Sequence, residues 1–227
     1  MFETVLSTNT DAVCLLRCGK FDESMYLLRA ALVAVQAASM ETNQAQSQGP
    51  QGMIVSVPLN DEDIGSPGPR VNKLNCTSSV EIFDKAFIFE GPQSLANTDE
   101  NASLCAAVGM YNMALTMHLK ALQRGSSQLL LKASLLYQKA FTVIHAMAPS
   151  PTSSISSLFL ATVLNKIACE AELGGYCRVQ EWRSVYSDMY AWATQFNEVT
   201  MEPEDLELFA SNAVILSSSV FCTAPAA

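Results

Sequence analysis

Three groupings of side chains could carry chemistry. Cys14 and Cys18 stand four apart, a spacing that puts two thiols on one helix face and suits a metal or redox pair. A tetrahedral site needs further ligands, and no histidine lies nearby to supply one, so no metal is expected and both thiols read as buried small hydrophobes. The two histidines, His118 and His145, are the candidate general bases. His118 is flanked by Leu115 and Leu119 in a helical pattern, and His145 sits near a helix end, where a cation complements the dipole; both read as structural. Glu170 and Glu172 are two apart and cannot share a helix face, which weakens a paired-carboxylate reading. The sequence contains no GxGxxG, GxxxxGK(S/T), HExxH or GxSxG. It therefore reads as a non-enzyme with no catalytic residues and no cofactor.

The elements that would position these residues belong to one domain spanning 1–227. With 227 residues, 49% of them hydrophobic and 15% charged, the chain is long enough for one sizeable core. Thirteen Lys and Arg face 22 Asp and Glu, for a net charge of −9, which argues against a nucleic-acid partner. The imbalance is concentrated: residues 1–100 hold 6 basic and 13 acidic side chains, so a basic partner would be steered there. The segment MFETVLSTNT has neither a basic n-region nor an apolar h-region, and the seven cysteines form no CxxC pair. Together these place the chain inside a cell, in the cytoplasm, with reduced thiols. The sequons at Asn75 and Asn101 would need a secretory route that is not apparent. Two uncharged stretches, Thr142 to Asn165 and Leu208 to Ala227, are interrupted by proline, serine and asparagine, and no membrane span is expected.

Helical periodicity dominates and comes in pairs. Val13, Leu15, Leu16 and Cys18 make one apolar face, Gly19 stops the helix, Asp22 can cap the next, and Met25, Leu28, Ala31 and Leu32 make a second face; this is a hairpin over 8–39. A polar insert over 41–75 follows, with an acidic run at Asp61, Glu62 and Asp63 and too little apolar content to offset its ordering entropy. Two patches, 53–59 and 80–90, alternate or are rich in β-branched and aromatic residues, and could pair as a small ribbon covering the helices. Hairpins over 102–147, divided at Gly125, and over 155–196, divided at Gly174 and Gly175, follow in turn. A closing helix over 203–217 opens on Pro203 and caps the stack. The fold class is mainly all-α.

The segment LLRCGKFDESMYLLRAAL resembles the second half of a tetratricopeptide repeat (TPR). Gly19 matches the family's inter-helix glycine, Phe21 its aromatic, Ser24 its small crossing residue, and Ala31 and Leu32 its terminal small-apolar pair. In the second hairpin, Tyr111 to Ala114 and Lys132 to Phe141 resemble the family's two helices, with Ala133 and Ala140 at small positions. In the third, Leu164 to Ala168 resembles the pattern, while bulky Val179 and Tyr186 depart from it, as does the 53-residue interval from Asn112 to Asn165 against a family period of about 34. The resemblance implies a right-handed superhelical stack of antiparallel hairpins whose first helices line a concave groove that binds a protein or peptide. It implies partner-binding roles for Asn112, Leu115 and His118, and for Asn165 and Lys166 within a one-residue ambiguity. The carboxamide of an asparagine both donates to and accepts from a peptide group, which suits sequence-tolerant binding. Thr10 stands where the first unit would carry its asparagine. The alternative is a structural or self-associating scaffold in which the acidic insert covers the groove.

Two further features are read from periodicity. Trp182, Val185, Met189 and Trp192 form one helical stripe and read as core, with Tyr186 and Tyr190 at its edge and their hydroxyls wet. The run Glu202, Pro203, Glu204, Asp205 reads as a solvated first turn complementing the helix dipole.

Overall fold

The structure is a computed structural model and describes residues 2–41, 53–59, 80–90, 99–147, 153–195 and 201–218. Seven helices and two strands make up this part of the chain: α1 (Phe2–Arg17), α2 (Phe21–Glu41), β1 (Met53–Pro58), β2 (Lys85–Glu90), α3 (Asp99–Arg124), α4 (Ser127–Met147), α5 (Ser153–Glu172), α6 (Tyr176–Gln195) and α7 (Pro203–Ser217). It is mainly helical with one small antiparallel sheet.

The helices pair because the turns between them share one backbone device. Gly19, Gly125 and Gly174 have φ of 70°, 63° and 72°, left-handed values that cost a residue with a Cβ about 1 kcal/mol or more. The amide after each glycine reaches back to the last turn: Lys20 N–H to the Leu15 carbonyl at 2.9 Å, Ser126 N–H to Ala121 at 3.0 Å and Gly175 N–H to Glu170 at 2.8 Å. Each helix end thus has its open carbonyls satisfied, and the chain reverses. Helices adjacent in sequence pack on one another, and α1, α3, α5 and α7 also touch in that order. The central helices are enclosed on all sides, with residues 155–170 of α5 buried throughout, as a helix without a polar face must be.

β1 pairs with β2 in a register that sets Ser56 opposite Phe87, Ile54 opposite Phe89 and Pro58 opposite Lys85. The two patches pair as the sequence suggests, within the core rather than as a cover over the helices. Ile54, Ile82, Phe83, Ala86 and Phe87 join the main core cluster with α3, α4 and α5, and Phe83 and Phe87 are each 1% exposed. The strand is packed into the helical stack as part of the core. The acidic run at 61–63, expected in the insert, lies outside the described residues.

Candidate functional site

Along the inner wall formed by α1, α3, α5 and α7, each helix turns a buried asparagine toward a common segment: Asn9, Asn112, Asn165 and Asn212. Asn9 follows Val5 and precedes Ala12 and Leu16; Asn112 lies between Val108 and Leu115; Asn165 lies among Ala161, Thr162 and Cys169; Asn212 lies between Phe209 and Leu216. All four are essentially inaccessible to solvent, and a buried carboxamide must find partners. Their partner is the chain's own extended segment 81–87.

The contacts are two-pronged. Asn112 Oδ1 accepts from Phe87 N–H at 2.9 Å while its Nδ2 donates to the Phe87 carbonyl at 2.8 Å. Asn165 does the same to Phe83, at 2.9 Å in both directions. Asn212 does it to Glu81, at 2.9 and 3.2 Å. Asn9 Nδ2 adds a bond to the Phe87 carbonyl at 3.1 Å, and its Oδ1 accepts from Asn112 Nδ2 at 2.9 Å. Because each carboxamide faces both the N–H and the C=O of one residue, its orientation is fixed by the backbone it holds. These carboxamides do what the ladder of a neighbouring strand does in a sheet. Residues 81, 83 and 87 turn their backbone groups to the asparagines, and β2 keeps β1 on its other edge.

At Lys85, the odd-numbered residue with no carboxamide of its own, the Tyr111 hydroxyl donates to the backbone carbonyl at 3.1 Å, and it also reaches the Phe83 carbonyl at 3.3 Å. Asn165 Nδ2 further approaches the Tyr111 and Tyr137 hydroxyls at 3.2 and 3.3 Å. Burial pushes both tyrosines well above the ordinary phenol range, so they stay neutral.

Side chains of the segment fill one aromatic pocket and one acidic slot. Phe83 stacks between Phe87 and Phe209, with ring centroids 5.8 and 5.2 Å apart. Phe87 meets Tyr111 edge to face at 5.0 Å. From the residue between them in sequence, Lys85 Nζ lies 2.6 Å from Asp205 Oδ1 and 3.6 Å from Glu204 Oε2, and Ser56 Oγ donates to Asp205 Oδ2 at 3.0 Å. Burial works against the Lys85 ammonium, but the Asp205 carboxylate outweighs it and holds the group above its ordinary range. Asp205 is 2% exposed, so the expectation of a solvated first turn fails at that residue: its carboxylate faces inward onto the lysine.

The other expected site residues divide. Leu115 and His118 of α3 are fully buried. His118 packs edge-on against the Tyr137 ring at 6.1 Å, neither ring nitrogen has a hydrogen-bond partner, and burial lowers its pKa to about 4. Lys166 turns away from the segment. Its Nζ lies 2.6 Å from Glu170 Oε1 and 2.6 Å from Ser134 Oγ, and 5.6 Å from the Trp182 ring centre, so of the two neighbours Asn165 is the one that meets the strand. Ser134 Oγ donates to the same Glu170 oxygen at 2.5 Å, and Arg178 lies 3.7 Å from the other. Burial opposes the Glu170 charge, but Lys166 prevails and keeps the carboxyl below its ordinary range.

A cleft of about 700 Å³ borders this group where the start of α4 meets the α5–α6 turn, lined in part by Leu131, Tyr176, Cys177 and Arg178. It contains none of the five residues expected from the resemblance.

Four further expectations need correcting. Asn9, one residue before Thr10, is the asparagine of the first helix. Cys14 and Cys18 are exposed thiols rather than core. Tyr186, expected at the wet edge of its stripe, is 1% exposed and donates to the Phe209 carbonyl at 2.9 Å, while Trp182, Val185, Met189 and Trp192 pack, partly buried, against the main core as expected. Asp22, expected to cap the second helix, reaches Lys120 of α3. Asn212 was not singled out as a site residue; its signal was a polar residue standing in a stripe of Phe209 and Leu216. Among the described residues, no group of three or more potential ligands could hold a metal ion, and no helix is long and apolar enough to cross a membrane.

No protein-family model, no curated protein and no solved structure matches the chain.

Proposed function

We propose that the chain is a TPR-like, non-catalytic protein-interaction module whose concave wall binds an extended peptide by its backbone, and whose own residues 81–87 are the resident occupant. One observation carries the reading: Asn112 and Asn165, on different helices, each hold both the N–H and the C=O of a single residue in an extended segment. A wall built this way binds any polypeptide that can lie extended against it, because it addresses groups that every non-proline residue has. Three helical hairpins turning on Gly19, Gly125 and Gly174, with α7 closing the row, support the TPR-like arrangement. Its working environment is the cytoplasm, in keeping with the free thiols of Cys14, Cys18, Cys105, Cys169 and Cys177.

A second reading is favoured by the burial of Phe83 and Phe87: the segment is a permanent structural filling and the module is a scaffold. Native-state hydrogen exchange separates the two. In the interaction module, the Phe83 and Phe87 amides exchange through a local opening well below the global unfolding free energy, measured against core amides of α5. Exchange of those two amides only through global unfolding would reject displacement and leave the scaffold.

A further inference from the structure

We propose that the groove selects a sequence as well as a backbone: an extended partner segment carrying an aromatic residue, a lysine two positions on and a second aromatic two beyond that, for which Phe83, Lys85 and Phe87 are the built-in copy. This rests on the groove reading above and adds the chemistry of the partner.

Phe83, Lys85 and Phe87 alternate along the segment, and the two rings stack on each other with centroids 5.8 Å apart while the lysine reaches a separate acidic group. The aromatic pocket is walled by Phe209 beside Phe83 and by Tyr111 beside Phe87. The other slot is acidic, with Asp205 and Glu204 converging on Nζ. The asparagines hold the backbone without regard to sequence, so discrimination falls to these slots. The acidic slot is the most selective. Asp205 is buried, and a segment without a cation at this position would leave its carboxylate facing a neutral group away from water, which a buried charge tolerates poorly. A glutamate there would add repulsion. The incoming segment would lie between the asparagines and β1, whose ladder remains to receive its even-numbered backbone groups.

The test uses the full chain carrying Phe83→Ala and Phe87→Ala, which weakens the resident copy, and a fluorescent peptide with the sequence of residues 80–90, VEIFDKAFIFE. Anisotropy titrations compare that peptide with one carrying Lys85→Glu and one carrying both Phe→Ala changes. The expected result is saturable binding of the native peptide, with each altered peptide at least about tenfold weaker. Equal binding of all three would overturn the sequence selection and leave the backbone groove standing. Binding of none, by a host that circular dichroism shows to be folded, would overturn both. If the double variant does not fold, Lys85→Glu, which keeps both rings, serves as host with the same outcomes. Wild-type protein is expected to bind the native peptide far more weakly than either host, because its tethered copy competes at an effective concentration on the order of millimolar.

Discussion

Replacing Asn165 with alanine deletes the carboxamide at the middle of the row, and the structure sets the size of the loss. The Phe83 N–H, now donating to Oδ1 at 2.9 Å, has no other partner within reach and lies in a residue that is 1% exposed. An orphaned buried donor costs about 1–3 kcal/mol. The Phe83 carbonyl loses its 2.9 Å bond from Nδ2 but keeps the Tyr111 hydroxyl at 3.3 Å, so this side loses about 1 kcal/mol. The sum is about 3 kcal/mol, roughly a hundredfold in the folding equilibrium. Asn212→Ala is the internal comparison: Glu81 is exposed, water can replace the lost partner, and about 1 kcal/mol is expected. Urea unfolding followed by circular dichroism gives both values, and hydrogen exchange at the Phe83 amide locates the effect. If Asn165→Ala costs less than about 0.5 kcal/mol and leaves the exchange of Phe83 unchanged, the asparagine row does not hold the segment and the functional reading falls with it.

Three further outcomes follow from buried groups and turns. His118 has a folded-state pKa of about 4 against an ordinary 6.5, so its contribution is complete above pH 6.5 and is lost as the pH falls from 6.5 to 4, by about 3 kcal/mol in all; urea midpoints across that range should fall in the wild type and fall less in His118→Leu. Lys166→Met should destabilise by about 3–5 kcal/mol by stranding the Glu170 carboxylate, and adding Glu170→Leu should recover most of it, read from the same unfolding curves; a double variant no better than the single would mean that the pair is not coupled. Gly174→Ala should cost about 1 kcal/mol through its φ of 72°, although a Cβ there meets no other atom within 4 Å, and a thermal-unfolding midpoint unchanged from wild type would contradict the turn argument.

What could be read from the sequence was local. Helix stops at Gly19, Gly125 and Gly174, amphipathic stripes such as Leu28 with Ala31, the alternation of 53–59 and the β-branched and aromatic content of 80–90 are properties of a few neighbouring residues, and the helices and the two-stranded sheet follow from them. The pairing of Asn165 with Phe83 joins residues 82 apart, and that of Asn212 with Glu81 joins residues 131 apart. Nothing in a periodicity reports such distances, so the segment that the asparagines hold was not legible. Asn112 and Asn165 could be singled out only through the repeat resemblance. Asn9 could have been found as the polar member of a stripe running Val5, Asn9, Ala12, Leu16, and Asn212 likewise in Asp205, Phe209, Asn212, Leu216. Asp205 was misjudged because an acid in a first helical turn is ordinarily explained by the helix dipole alone, and its lysine lies in a strand 120 residues earlier. Tyr186 was misplaced because periodicity gives an angle around the helix without saying which side of it meets α7.

The row of carboxamides also works as a vernier, two rulers of unequal pitch laid side by side. Packed helix axes lie about 8–10 Å apart, whereas an extended chain returns the same edge about every 6.6 Å. The held points are unevenly spaced: two residues separate those of α7 and α5, at Glu81 and Phe83, four separate those of α5 and α3, at Phe83 and Phe87, and α1 adds its asparagine to Phe87 again. A single inserted residue between Phe83 and Phe87 would turn every later side chain to the wrong face unless the strand took it up as a bulge, whereas two inserted residues would keep the faces.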